Sequence, residues 1–446
     1  MRRTLLILGA LAALHLYACA GDSAFPLATG KGTVRAINAI TTSPAITFLI
    51  EERQVGTAGY KGATGSQEYD DLEYTFNFEV NIPITGRRRI ASQFLDVVAD
   101  KDYTFVISGT LANATVTLWE GDTRQWEETD TVFEARFGHA AAALGPVDVY
   151  FAPEGTAPLL GEQIGTLSLG EILPAADYAE GIYVVTYTAP GDPLNVLFTS
   201  DPVARGARDS SIVTLFDADA NDLAPVSVWS FNAAGAAARL TDAGFPPTLR
   251  FFNASTALGT ADIYNDEDLL TALVMNHAFG DITGDIEVST GTNSLTYTAP
   301  GNTGSILFEN DVTVPAGTRG NYYVVGETGA LSAITHLPDR RSVETISKFS
   351  FMHAATNHPS VDVYIVEADA DIAEINPSVF SVPVGLAPLQ TELVEGSFDL
   401  YVTTAGEKTV ITGPVRLDTT LGGVIDIIML DTVDPATADI VFIPLP

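Results

Sequence analysis

One motif is written four times along this chain, and no other feature constrains its fold as tightly. The copies are VRAINAITTSPAITF from Val34, RFGHAAAALGPVDVY from Arg136, RFFNASTALGTADIY from Arg250 and SFMHAATNHPSVDVY from Ser350. Each places a polar pivot at one position: Asn38, His139, Asn253 and His353. Nine residues after each pivot stand Thr47, Asp148, Asp262 and Asp362. The pivots are 101, 114 and 100 residues apart, so each repeat is a whole small domain. Solenoid units are far shorter, about 20–50 residues.

A second marker fixes the phase. YTAPG occurs at Tyr187–Gly191 and Tyr297–Gly301, with YVTTAG at Tyr401–Gly406 as a looser copy. Pro presets φ and the following Gly accepts positive φ, the chemistry of a type II turn. Each copy therefore predicts a strand that runs into a hairpin.

Around these markers lie short strands with period-2 alternation: in VDVYF, Val147, Val149 and Phe151 face one way while Asp148 and Tyr150 face the other. Seven short strands per repeat, separated by Gly, Pro and Asp turns, predict an all-β chain of four tandem immunoglobulin-like antiparallel β-sandwiches. The expected domains are residues 33–120, with a long mobile loop at 51–71, then 132–231, 248–338 and 346–446. Two stretches read otherwise: DEDLLTALVMNHAF (Asp266–Phe279) has helical character, and NAAGAAARLTDAGFPP (Asn232–Pro247) reads as a linker with room for one helical turn.

The N-terminus reads MRRTLLILGALAALHLYACAGDS: two arginines, an apolar run too short to span a bilayer, then small residues. That is a secretory leader over residues 1–18. The chain's single cysteine, Cys19, closes L-Y-A-C, which is similar to the bacterial lipobox and marks Cys19 for lipidation. Ala20 after it directs the protein to the outer membrane by the usual sorting pattern; plain secretion after an A-x-A cleavage is the alternative. Residues 19–32 read as a tether. With one cysteine no intrachain disulfide forms, and stability must come from packed cores.

Lys and Arg total 22 against 56 Asp and Glu, a net charge of −34. Such a surface repels phosphate backbones, so nucleic acid is an unsuitable partner. The cluster Arg87, Arg88 and Arg89 reads as a solvated turn rather than an anion site.

The pivots alternate Asn and His, whose shared chemistry is a short planar side chain with an N–H donor. Since asparagine cannot perform histidine's acid–base work, the position predicts a buried donor to a carbonyl of the following loop. Arg136 with Asp148, and Arg250 with Asp262, predict cross-strand ion pairs. DADAND (Asp217–Asp222) sets Asp217, Asp219, Asn221 and Asp222 in a calcium-loop spacing, without the Gly and bidentate Glu of an EF-hand, and is a weak Ca²⁺ candidate. No nucleophile elbow, zinc-helix motif, C-x-x-C or phosphate loop occurs, so neither catalysis nor a cofactor is expected.

The pivot motif, the D-[VI]-Y nine residues on, YT-x-x-G, a late YTFV or YYVV strand and a closing L-x-D together resemble the DUF4397 repeat, a domain of unknown function common in bacterial secreted and surface proteins. The resemblance spans nearly all of the mature chain and implies an extracytoplasmic sandwich module with nothing catalytic. The expected function is a non-enzymatic, lipid-anchored envelope array for adhesion, scaffolding or interaction. The alternative is capture of a carbohydrate or peptide through sandwich loops, where Trp126 or Trp229 would matter. The expected partners are the membrane, through the lipid, and a surface protein or glycan.

Overall fold

The computed structural model describes residues 27–266 and 268–445. The leader and Cys19 lie outside the described residues. Among those described there is no helix, and none long and apolar enough to cross a membrane.

The first sandwich has eight strands: β1 (Lys31–Asn38), β2 (Ile46–Ile50), β3 (Arg53–Ala58), β4 (Gln67–Asp70), β5 (Glu73–Ile82), β6 (Gly86–Asp96), β7 (Lys101–Gly109) and β8 (Ala114–Asp122). One sheet runs β4-β1-β7-β8 and the other β3-β2-β5-β6. All pairings are antiparallel except β1 with β7, which run parallel from Thr33↔Asp102 to Asn38↔Ile107. The same order recurs three times, with the parallel pair made by Val132–His139 and Ser210–Asp217, Thr248–Asn253 and Arg319–Val325, and Ser347–His353 and Val424–Asp431. The architecture is the expected immunoglobulin-like sandwich, in four tandem copies. Its strands number eight in the first, third and fourth sandwiches and ten in the second, rather than seven, and in each the first strand sits between the fourth and its parallel partner.

Each sandwich closes on its own apolar filling. In the first, Phe48 stacks on Phe76 and Phe78 with centroids 5.6 Å away, and Phe105 packs across from the opposite sheet. Such pairs add about 0.5–1.5 kcal/mol each beyond the area they bury.

The β1 and β7 positions are buried on both faces, because the sandwiches pack in pairs through the outer faces of these sheets. Ile37, Val106 and Trp119 of the first meet Ala140, Ile212, Phe216 and Phe231 of the second. Phe252, Tyr323 and Val325 of the third meet Met352, Ile428 and Leu430 of the fourth. A strand covered on both sides reads as a continuous apolar run, which is why YTFVIS and VIDIIML do not alternate.

Three local expectations are corrected. Residues 51–71 are not a mobile loop: they hold β3 and β4, and Lys61 is only 5% exposed. Among the described residues of Asp266–Phe279 there is no helix. Val274–His277 pairs instead with Ala261–Asn265, Asn276 has φ 55°, and Leu270 is 95% exposed. The open edge of Ala261–Asn265 needs backbone partners, and that demand overrides weak helical spacing. Within Asn232–Pro247, Ala237–Leu240 adds a fifth strand beside Val226–Asn232.

Candidate ligand-binding cleft and the repeated polar positions

The pivots are the last residues of the first strands and are fully buried. Asn38 Nδ2 donates to Ser43 Oγ at 2.9 Å and to the Ala58 carbonyl at 3.2 Å, and its Oδ1 accepts the Ile40 amide at 3.0 Å. Asn253 donates to the carbonyls of Gly259 at 2.7 Å and His277 at 3.2 Å, and accepts the Ser255 amide. His139 Nε2 stands 3.1 Å from the Gly145 carbonyl, and His353 Nε2 stands 2.6 Å from that of His358. A carbonyl can only accept, so Nε2 carries the proton in both. Their Nδ1 atoms have no partner. Burial pushes the pKa of His139 down and that of His353 to about 4, so both rings are neutral at pH 7.

The aspartates nine residues on do not form the expected ion pairs. They lie in the other sheet from Arg136 and Arg250. Asp148 Oδ2 accepts the Gly191 amide at 2.7 Å, Asp262 that of Gly301 at 2.7 Å, and Asp362 that of Gly406 at 2.8 Å. Each glycine sits at the YTAPG turn or its YVTTAG counterpart with φ of 71°, 68° and 77°. The two sequence markers are thus bonded to each other: the aspartate clamps the hairpin.

The DADAND run is also committed internally. Lys61 of the first sandwich reaches Asp219 Oδ2 at 3.0 Å and bonds Asp222, whose other oxygen takes Arg239 at 3.0 Å. Asp217 accepts the amides of Ala142 and Ala143, both at 2.9 Å, and Asn221 bonds Asp339 and the Arg340 amide, each at 2.7 Å. In the structure these carboxylates are taken by protein cations and amides. Among the described residues no group of three or more metal-ligating side chains is placed to hold an ion. Arg87, Arg88 and Arg89 lie on β6, with Arg89 3.3 Å from Glu79.

What the sequence did not single out is a cleft of about 410 Å³ between the first and second sandwiches. It is lined by Arg35, Asp102, Asp122, Thr123, Arg124 and Trp126 on one side, and by Glu134, Arg136, Arg208, Ser210, Ser211 and Asn232 on the other. Arg35 donates to Thr104 Oγ1 at 3.0 Å and to the Asn232 carbonyl at 2.9 Å. Arg136, 7% exposed, gives one Nη2 bond to the Glu120 carbonyl at 2.6 Å. Its Nε is unpartnered, as are Ser210 Oγ, Ser211 Oγ, Thr123 Oγ1 and Arg124 Nε. Arg124 pairs with Asp177 at 3.1 Å and lies 4.4 Å above the Trp126 ring. Trp229 is not in the cleft; it packs at the paired interface with its indole on Ser227 Oγ.

A family model described as "Domain of unknown function (DUF4397)" matches residues 32–150 and 247–364, more than half of the chain. The chain belongs to the DUF4397 family. Each DUF4397 match opens on the first strand of an odd-numbered sandwich and runs to the aspartate motif of the next, so the two matches start each packed pair. No curated protein matches the sequence. Among solved structures it is similar to "The Bacillus anthracis TIE protein", at 10% identity over 91% of this chain and 69% of that one, with a TM-score of 0.16. A TM-score that low does not superimpose two folds.

Proposed function

We propose that this DUF4397 protein is a non-enzymatic component of the bacterial cell envelope, held to the outer membrane by a lipid on Cys19, whose four sandwiches form a rigid array for adhesion, scaffolding or interaction. One observation carries the reading: the sandwiches are locked together rather than strung on flexible linkers. The segment between the third and fourth ties three of them. Arg341 donates to the Thr41 and Ser43 carbonyls of the first at 3.0 and 2.6 Å, Asp339 and Arg340 bond Asn221 of the second, and Asp339 takes Lys348 of the fourth at 2.5 Å. A fixed spacing suits presentation of surfaces to a partner. The leader and the placement of the single cysteine support the anchor. Cys19→Ser should move the protein from the membrane to the soluble fraction and abolish palmitate labelling; equal labelling of wild type and variant refutes the anchor. Pull-down from the cell surface with the mature chain should recover a protein or glycan partner.

The cleft between the first two sandwiches favours a second reading, capture of a small ligand, because its polar groups converge and five of them lack partners.

A further inference from the structure

We infer that this cleft binds an acidic saccharide, with the sugar carboxylate on Arg136 and the hydroxyls on the serines and carboxylates around it. The inference rests on the capture reading and names its ligand.

Arg136 is the anchor. It is nearly buried, yet among the described residues no carboxylate lies within 4.0 Å of its guanidinium. A buried cation without a close counter-ion is costly, and burial accordingly pulls its pKa below the ordinary arginine value. The neighbouring Arg35 adds like charge and has only a 3.8 Å contact with Asp102. Arg208, exposed at the rim, likewise has no carboxylate within 4.0 Å among the described residues. A ligand carboxylate complements this cluster of guanidinium charge.

The remaining lining suits hydroxyls. Ser211 is 6% exposed with its Oγ unpartnered, and Ser210 Oγ is unpartnered beside it. Each can donate and accept, as sugar hydroxyls do. Asp102 and Asp122 supply acceptors nearby. Those same carboxylates, and the net charge of −34, disfavour a phosphate or a polyanion; a single carboxylate on a neutral polyol meets least repulsion. The volume falls in the small-ligand range of about 300–1,000 Å³, enough for one or two sugar rings. In the other sandwich pair the position of Arg136 is held by Ser350. There Asn321, Tyr323 and Asp426 bond one another across the interface, so the site belongs to the first pair alone.

The test is calorimetric titration of the mature chain carrying Cys19→Ser with a uronate disaccharide, a neutral glucose disaccharide and inorganic sulfate. The uronate should bind one to one and at least tenfold tighter than either of the others. Arg208→Glu, at an exposed position that leaves the fold intact, should weaken it at least tenfold, and Arg136→Gln should abolish it with the melting profile checked. Equal binding of neutral and acidic sugar, sulfate binding as tightly as the uronate, or unchanged affinity in Arg208→Glu would each overturn the inference. If no sugar binds while a surface protein is recovered by pull-down, the inference fails and the array reading stands. If NMR shows the uronate bound and converted to product, the site stands and the non-enzymatic reading fails.

Discussion

Asp262 and Gly301 lie 39 residues apart in sequence, and the carboxylate accepts the glycine amide at 2.7 Å. The second aspartate oxygen takes the Asn276 amide, also at 2.7 Å, so one 1% exposed side chain fixes a hairpin turn and an edge strand together. The relation recurs as Asp148–Gly191 and Asp362–Gly406. The first sandwich lacks both partners, with Thr47 at the aspartate position and a different hairpin at Ile82–Gly86. Asp262→Ala should leave two amides without their acceptor and cost about 1–3 kcal/mol per unsatisfied group, read as a lower melting temperature. An unchanged melt would show the clamp to be incidental.

Gly138 is a packing requirement rather than a turn. A Cβ there would meet Trp119 Cζ2 at 2.8 Å, because the indole of the first sandwich lies on this backbone and donates Nε1–H to the Gly170 carbonyl at 2.7 Å. Gly138→Val should force the paired sheets apart at a cost of about 1–3 kcal/mol and open the first pair to limited proteolysis. Retained protection would refute the role of this contact.

Lys61 is 5% exposed between Asp219 and Asp222 of the neighbouring sandwich. Lys61→Met should strand carboxylates in a buried site and destabilise the first pair by about 3–5 kcal/mol, the usual effect of removing one partner. The double variant Lys61→Met with Asp222→Asn should recover part of that loss in chemical denaturation; additive losses would contradict the pairing.

The pivots give a pH signature. His353 has its pKa depressed to about 4 in the folded protein, against about 6.5 unfolded. The unfolded chain therefore binds the proton first, so this contribution is intact above pH 6.5 and is lost as pH falls toward 4. His336, also at about 4, adds to the trend. Asp426, raised to about 6 by burial, opposes it: its contribution is full at low pH and is lost as pH rises toward 6. His353→Asn should keep stability at pH 7, since Asn38 and Asn253 fill the same role, and should reduce the loss between pH 6.5 and 4. His353→Ala should cost about 1–3 kcal/mol at pH 7 by orphaning the His358 carbonyl. Melts of both variants at pH 7 and pH 5 decide; identical acid sensitivity in His353→Asn and wild type would remove the histidine from the account.

Local pattern was enough to count four sandwiches, to place YTAPG on hairpins with glycine at positive φ, and to set the pivots beside loop carbonyls. These follow from period-2 alternation, turn chemistry and hydrogen-bonding inventory, all of which act within a few residues. The failures share a cause. Arg136 and Asp148 alternate correctly on their strands, yet strand alternation does not say which of two sheets a strand joins, and the aspartate went to a glycine 43 residues away. DADAND has calcium-like spacing, but its carboxylates face Lys61 and Arg239, brought in by packing of one sandwich on another. The cleft around Arg136 is built from residues up to about two hundred positions apart, such as Thr33 and Asn232, and exists only because two outer sheet faces meet. Repetition along the chain determines the module. The surfaces between modules arise from long-range burial and charge pairing, whose partners no local period encodes.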